Sequence, residues 1–159
     1  MEAAHFEYAF ERFDLLPETY FGNEDTLKPL HTVYFGFHSE PYHEFIKEIT
    51  GLTDKIDVSS QFSNYSKGHF AAMHTDRGEM ATNPRIVAHV LSLSRDWDPA
   101  WGGEFCFCDD NGKVLRKRPP SFNTLNLFKI PTQHKVLPVK TFAKRNRYSV
   151  FGWVNQMKN

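Results

Sequence analysis

Net charge, long apolar runs and cysteine are what this sequence has little of, and each shortage removes a class of function. Lys plus Arg and Asp plus Glu both number 19, so the formal charge is zero. A chain without excess charge carries no electrostatic footprint for nucleic acid or for an anionic membrane surface. No apolar run reaches the roughly 18 residues of a membrane span. The opening Met1-Glu2-Ala3-Ala4-His5 has neither the charged nor the apolar region of a signal peptide. The expectation is a soluble, cytoplasmic protein that binds neither nucleic acid nor membrane. The only cysteines, Cys106 and Cys108, alternate along one expected strand. Their Cα atoms then stand at or beyond the limit of about 7 Å for a disulfide. They are expected as packing residues in a reducing compartment.

What the chain does have is aromatic side chains in short alternating segments. At 159 residues it is long enough to bury one core without disulfides or a structural metal. Residues 1–159 read as a single domain, a helical and strand prelude over 1–57 and a β-rich core over 58–154. Phe6, Phe10, Phe13 and Leu16 stand at helical spacing, so a helix is expected over residues 5–16, closed by Pro17. Thr32 to His38 alternates Val33, Phe35 and Phe37 with Tyr34 and Gly36, which predicts a strand. Ser39 followed by Pro41 and an amphipathic run to Gly51 predicts an N-capped helix.

From Val58 onward the expected strands are Val58–Tyr65, Phe70–Asp76, Arg85–Ser94, Glu104–Cys108, Val114–Leu115, Phe122–Lys129, His134–Val139 and Arg147–Val154. Asp109-Asp110-Asn111-Gly112 predicts a hairpin with positive φ at Asn-Gly in a type I′ turn. The fold class is therefore mainly β with flanking N-terminal helices, a jelly roll or double-stranded β-helix whose mouth can hold a small ligand.

The chemistry concentrates at Phe70-Ala71-Ala72-Met73-His74-Thr75-Asp76-Arg77. On an extended strand His74 and Asp76 leave the backbone on the same side, about 7 Å apart. With a second histidine from elsewhere in the fold they make a two-His-one-carboxylate set, which leaves open coordination positions for non-haem Fe(II) chemistry. The two-residue core alone is unspecific, and its weight comes from the other landmarks of the chain.

Those landmarks stand in a particular order: Tyr65-x-x-Gly68, His74-x-Asp76, Trp101-Gly102-Gly103-Glu104-Phe105, Pro120-x-Phe122-Asn123, His134-x-Val136, and Arg147-x-Ser149 running into Gly152-Trp153. In this the segment Val58 to Val154 resembles the iron(II)- and 2-oxoglutarate-dependent oxygenases, and within them the prolyl-hydroxylase-like group. The resemblance implies that His74, Asp76 and His134 ligate iron and carry catalysis, and that Arg147 binds the distal carboxylate of 2-oxoglutarate. It implies Fe(II), 2-oxoglutarate and O2 as cofactor and cosubstrates, with ascorbate as an auxiliary reductant.

Several residues keep two readings. An arginine on a strand offers a planar fork that suits a carboxylate better than lysine does. Arg145 has the same parity as Arg147 and competes for that role. Ser149, sharing the parity of Arg147, would add a second hydrogen bond, and Tyr65 either joins the carboxylate site or packs in the core. His89 either lines the pocket or is a core histidine, and Trp153 either walls the pocket or fills the core. Asp76 argues against halogenase chemistry, in which a small residue replaces the acidic ligand. The resulting expectation is a hydroxylase of an aliphatic C–H bond, of proline or another small-molecule or peptide substrate, as a monomer or homodimer. The competing readings are a non-catalytic jelly-roll binding module and a Zn(II) hydrolase, which needs three protein ligands and a water but no keto-acid arginine.

Overall fold

The computed structural model describes residues 8–15, 28–78 and 84–157. Two five-stranded antiparallel sheets face each other, as expected for a jelly roll. One has the order β1-β4-β9-β6-β7, formed by Tyr8–Ala9, Phe70–His74, His134–Val136, Phe105–Cys108 and Val114–Arg118. The other has the order β2-β3-β10-β5-β8, formed by Glu11–Asp14, Ile56–Tyr65, Arg147–Gln156, Arg85–Ser92 and Thr124–Lys129. A core of Tyr65, Ala71, Val90, Trp101, Phe105, Val136, Val139 and Ala143 lies between the sheets.

The outer face of the second sheet is covered by α1 (Lys28–Phe37) and α2 (Glu40–Thr50). Phe37 and Ile46 pack there against Ile56, Val58, Val87, Val150 and Val154. The second helix forms as its sequence dictates: the Ser39 side chain accepts from the Tyr42 N–H, Pro41 sits in the first turn and Gly51 closes the helix. His89 is fully buried on this side, its ring stacked on Phe37 at 4.3 Å and its Nδ1 3.1 Å from the Tyr42 hydroxyl. Burial, with a smaller contribution from His38, pushes its pKa down to about 3, so it is a neutral core histidine. No helix among the described residues is long and apolar enough to cross a membrane.

Four local expectations give way to the structure. The segment expected as a helix over 5–16 contains β1 and β2; Tyr8 pairs with Ala71 of one sheet and Arg12 with Ser63 of the other. Residues 5–7 and 16 lie outside the described residues. Tertiary pairing overrides a spacing that three phenylalanines and a leucine match by coincidence. Of Thr32–His38, expected as a strand, all but the last residue belong to α1, because Leu30, Val33 and Phe37 place their side chains on the α1 face toward the sheet, and His38 follows the helix in a turn. A seven-residue window fits both periods, and length decides between them.

The hairpin after β6 is not type I′: among its residues only Gly112 has positive φ, at 81°, and the Gly112 N–H donates to the Asp109 carbonyl. Asp109 Oδ1 accepts from the N–H groups of both Asn111 and Lys113, which fixes this wider turn. Finally, β4 ends at His74, and Asp76 lies beyond it at φ 57°.

The central strand β10 is flanked so tightly that position 152 admits no side chain. A Cβ there would lie 1.9 Å from the Ser59 carbonyl oxygen and 2.9 Å from His89 Nε2. Gly152→Ala is expected to destabilise the protein by about 2 kcal/mol or more, the usual scale for an overpacked core. Chemical denaturation measures this; an unchanged midpoint would mean that β3 and β10 separate without cost.

Candidate active site

Between the sheets lies a cavity of about 690 Å³ whose long wall is the inner face of β10, with Arg147, Ser149, Phe151 and Trp153 in line. His74 and His134 are paired across β4 and β9, which brings their rings to 4.1 Å between centroids. His134 is held between Phe105, stacked at 5.2 Å, and Phe128, edge-on at 4.8 Å. The left-handed turn at Asp76, a conformation aspartate tolerates better than most residues, swings its carboxylate back between the two rings. Asp76 Oδ1 is 3.3 Å from His74 Nε2, and Oδ2 is 3.3 Å from His134 Nε2. The two side chains therefore meet through a chain reversal and not through strand alternation.

The hydrogen bonds on the far side of each ring define what faces the carboxylate. His74 Nδ1 is 2.8 Å from the Ala72 carbonyl, and His134 Nδ1 is 2.8 Å from the Thr132 carbonyl. A carbonyl only accepts, so each Nδ1 carries a proton and each ring turns its Nε2 toward Asp76, as a lone pair unless a second proton is bound there. Three acceptors converge, with ligand atoms within 4.8 Å of one another. Such a group needs either extra protons or a cation at its centre. Ligands about 2.1 Å from a metal, at right angles to each other, stand about 3 Å apart, close to the observed spacing. Burial alone would push the Asp76 carboxyl up; with protons on the two Nε2 atoms, the hydrogen bonds and charge of the imidazoles hold it well below the usual carboxylate range, and a metal would take the place of those protons.

At one end of β10, Arg147 is 3% exposed and has no carboxylate partner among the described residues. Its Nη1 donates to Ser149 Oγ at 3.2 Å, and Ser149 Oγ lies 2.7 Å from Ser63 Oγ on the adjacent strand. Its Cζ lies 4.8 Å over the Tyr65 ring, and its Nε has no hydrogen-bond partner. Burial pushes the guanidinium pKa down, opposed by Tyr65. Tyr65 is itself pushed up to about 12 by burial, with Arg147 lowering and Asp76 raising it, and stays a neutral phenol. Gly103, at φ 70°, makes room for this arginine: a Cβ there would sit 3.3 Å from Arg147 Cδ, Trp97 and Val139. A buried cation lacking an anion, facing a cavity, is a place for a carboxylate.

A family model described as the 2OG-Fe(II) oxygenase superfamily matches residues 60–155, more than half of the chain. The chain belongs to the 2OG-Fe(II) oxygenase superfamily. No curated protein matches it, but solved structures share its fold. A prolyl-4-hydroxylase from Pseudomonas putida is 23% identical, with 95% of this chain and 74% of that one covered at a TM-score of 0.70. The viral collagen prolyl hydroxylase from Paramecium Bursaria Chlorella virus-1, solved with 2OG, is 17% identical over 94% and 80%, at 0.64. A Trichoplax adhaerens prolyl hydroxylase, in complex with a hypoxia inducible factor peptide fragment, is 24% identical over 65% and 46%, at 0.53.

As a superfamily member this oxygenase is an Fe(II)- and 2-oxoglutarate-dependent dioxygenase. The acceptor cluster fits a divalent cation, and the lone guanidinium fits a dicarboxylate. Arg145, the competitor of Arg147, is exposed and pairs with Asp96 at 3.4 Å, away from the cavity. His89 does not reach the cavity, whereas Trp153 lines it.

Other cavity residues were not singled out in the sequence. Ser63 is one, and only the register of β3 with β10 identifies it. Phe10 is another, stacked on Tyr65 at 4.6 Å where the chain crosses from β1 to β2 and so from one sheet to the other. Arg12, Arg77 and Arg85 also line the cavity, and only the adjacency of Arg77 to the His-x-Asp motif could have signalled one of them.

For the metal, replacing His134 or Asp76 by Ala is expected to lower Co(II) affinity by about tenfold or more. Anaerobic titration followed by absorption and calorimetry checks this. Unchanged affinity in both variants would place the metal elsewhere.

Proposed function

We propose that the protein hydroxylates an aliphatic C–H bond, with proline, free, carrier-bound or within a peptide, as the leading substrate. The observation that carries the reading is the pairing of two unsatisfied sites in one cavity: the His74, Asp76 and His134 acceptors, and the buried Arg147 without an anion. On this reading His74, Asp76 and His134 hold iron, while Arg147, Ser149 and Tyr65 hold the distal carboxylate of 2-oxoglutarate. When bound, Fe(II) with 2-oxoglutarate and O2 supplies the oxidising power: the keto acid leaves as succinate and CO2 while one oxygen atom enters the substrate. Ascorbate would serve only to keep the metal ferrous.

The chain's own part is binding, orientation and exclusion of water. The Ala72 and Thr132 carbonyls hold a proton on each Nδ1 and so aim each Nε2 at the centre, where any proton held between the rings and Asp76 would give way to a metal. Arg147, gripped between Tyr65, Ser149 and Gly103, presents its fork in a fixed direction, which gives a dicarboxylate one orientation along β10. Phe10, Phe105 and Phe151 make the walls of the cavity apolar between its polar ends. The prolyl-hydroxylase folds among the solved relatives support proline as the first substrate to try, and Asp76 in the ligand set argues against halogenation.

The deciding experiment is anaerobic titration with Fe(II) and 2-oxoglutarate, followed by a mass-spectrometric screen of proline-containing peptides and free amino acids for the gain of one oxygen. A weak visible absorption band on adding both components, and succinate formed on admitting O2, are expected. Absence of both would leave a binding module, and hydrolytic activity that survives Zn(II) substitution would identify a zinc enzyme.

Arg147 gives a second test with opposite signs. Arg147→Met is expected to weaken 2-oxoglutarate binding roughly thirtyfold or more, the scale for losing one partner of a buried charge pair. Because it removes a buried uncompensated cation, it should leave the melting temperature of the unliganded protein unchanged or raised. Thermal unfolding with and without 2-oxoglutarate measures both effects; a large loss of stability with binding intact would make Arg147 structural.

A further inference from the structure

The cavity carries more positive charge than the proposed reaction uses. Four arginines line it, Arg12, Arg77, Arg85 and Arg147, against a single carboxylate, Asp76, among its described lining residues. The two positive charges of Fe(II) and the two negative charges of 2-oxoglutarate cancel, and Asp76 offsets one arginine. Three positive charges remain uncompensated, and none of the four guanidinium groups is in an ion pair among the described residues. Arg147 has a proposed use. The other three do not.

Their positions define what would bind them. Arg85 is held rigidly beside the acceptor cluster. Its Nη1 donates to the Asp76 carbonyl at 3.2 Å, its Cζ stacks 3.6 Å over the Trp153 ring, and a Cβ added at Gly78 would stand 3.8 Å from its guanidinium. Stacking fixes the plane of the fork at the cavity wall, an arrangement suited to a carboxylate. Arg77 follows Asp76 directly in the chain. Arg12 stands on β2 opposite Ser63, which is itself opposite Ser149 of β10, whereas the register partner of Arg85 is Asn155 of β10. The Arg85 guanidinium itself lies over Trp153, and along β10 positions 149 and 153 are about 13 Å apart. A peptide with carboxylates on either side of its central residue can meet arginines placed toward both ends of the strand.

We propose that Arg85, Arg77 and Arg12 form the substrate-recognition rim of this cavity and that the substrate is an acidic peptide, with carboxylate side chains on both sides of the residue that is oxidised. The identity of the oxidised residue rests on the function proposed above; the acidity of the peptide does not. Charge of one sign in a partly enclosed cleft speeds the encounter with an oppositely charged ligand and rejects neutral or basic ones.

The test is binding without turnover. Terminally capped, fluorescently labelled peptides with a central proline flanked by Glu, or by Gln at the same positions, are titrated into Zn(II)-loaded protein with 2-oxoglutarate, and anisotropy is read. The Glu peptide is expected to bind about tenfold tighter than the Gln peptide at low salt. The preference should collapse at about 1 M salt, where the screening length is about 3 Å. Arg77→Gln and Arg12→Gln, whose side chains make no hydrogen bond to described residues, should each lose most of the preference while Gln-peptide affinity stays within about twofold. Arg85→Lys, which keeps the charge, should retain more of it than Arg85→Gln.

Equal binding of the two peptides by the unaltered protein overturns the proposal. So does a preference that survives in the Arg12, Arg77 and Arg85 triple Gln variant, or a capped single glutamate that binds as tightly as the Glu peptide. A Glu preference in a protein that never forms succinate would instead overturn the oxygenase reading and leave the acidic-peptide site standing.

Discussion

Two imidazoles and a carboxylate, with both Nε2 atoms and both carboxylate oxygens turned toward one point, form the interaction on which the rest of this structure depends. Each ring is committed by a backbone carbonyl two residues before it, Ala72 for His74 and Thr132 for His134. The same local device is used twice, on strands that are neighbours in the sheet. It fixes tautomer and ring direction together, and so turns three ordinary polar residues into a set of acceptors that only a cation or added protons can satisfy. The rest of the fold brings the three together: the β4–β9 pairing joins the rings, and the left-handed backbone at Asp76 returns the carboxylate to them.

The second requirement is an anion. Keeping a guanidinium nearly free of water without a counter-ion costs free energy, and the structure supports Arg147 on every side with neutral groups. Tyr65 lies under it, the Ser149 and Ser63 hydroxyls form a short relay beside it, and Gly103 leaves space for its stem. None of these offsets the charge. They hold its direction, which is what a site needs when the compensating group arrives from solution.

How much of this the sequence disclosed depended on whether the information was local. Strands β3 to β10 show alternation that both faces of a sheet enforce, and α2 carries its start and stop in Ser39, Pro41 and Gly51; these were readable. The pairing of residues 8–14 was not, because whether Phe10 and Phe13 sit on a helix or a strand is settled by β3 and β4, far along the chain, as in the pairing of Phe13 with Phe62. The α1 segment failed for a different reason, since Val33, Phe35 and Phe37 satisfy a period of two as well as Leu30, Val33 and Phe37 satisfy a helical one. In the site, the His-x-Asp pair and the Arg-x-Ser pair were legible because their members are two residues apart. Ser63, Phe10 and Arg85 reach the cavity only through register and packing. The expected strand alternation of His74 and Asp76 gave a correct neighbour but not the correct backbone: β4 ends at His74, and Asp76 meets it from a left-handed residue beyond the strand end, with Oδ1 3.3 Å from Nε2.

Both unsatisfied groups open into the same cavity, and this couples stability to loading. A ligand that binds only the folded state stabilises it by mass action. Here the unliganded protein also bears the cost of converging acceptors at one end and a buried cation at the other, so each arriving group removes a cost as well as adding contacts. The two ends are not independent on the proposed reading, because a dicarboxylate anchored at Arg147 reaches along β10 toward the acceptor cluster, and its charge offsets that of the metal. Neutralising either end alone leaves the other unfavourable, whereas filling both makes the inner cavity neutral apart from Asp76 and the arginines. The uncompensated charge then lies at Arg12, Arg77 and Arg85, in the part of the cavity left for the substrate. On the proposed reading, Arg147 and Ser149 hold the cosubstrate at one end of β10 and Arg85, stacked on Trp153, stands toward the other, while Arg12, opposite Ser63, faces the cavity from the cosubstrate end.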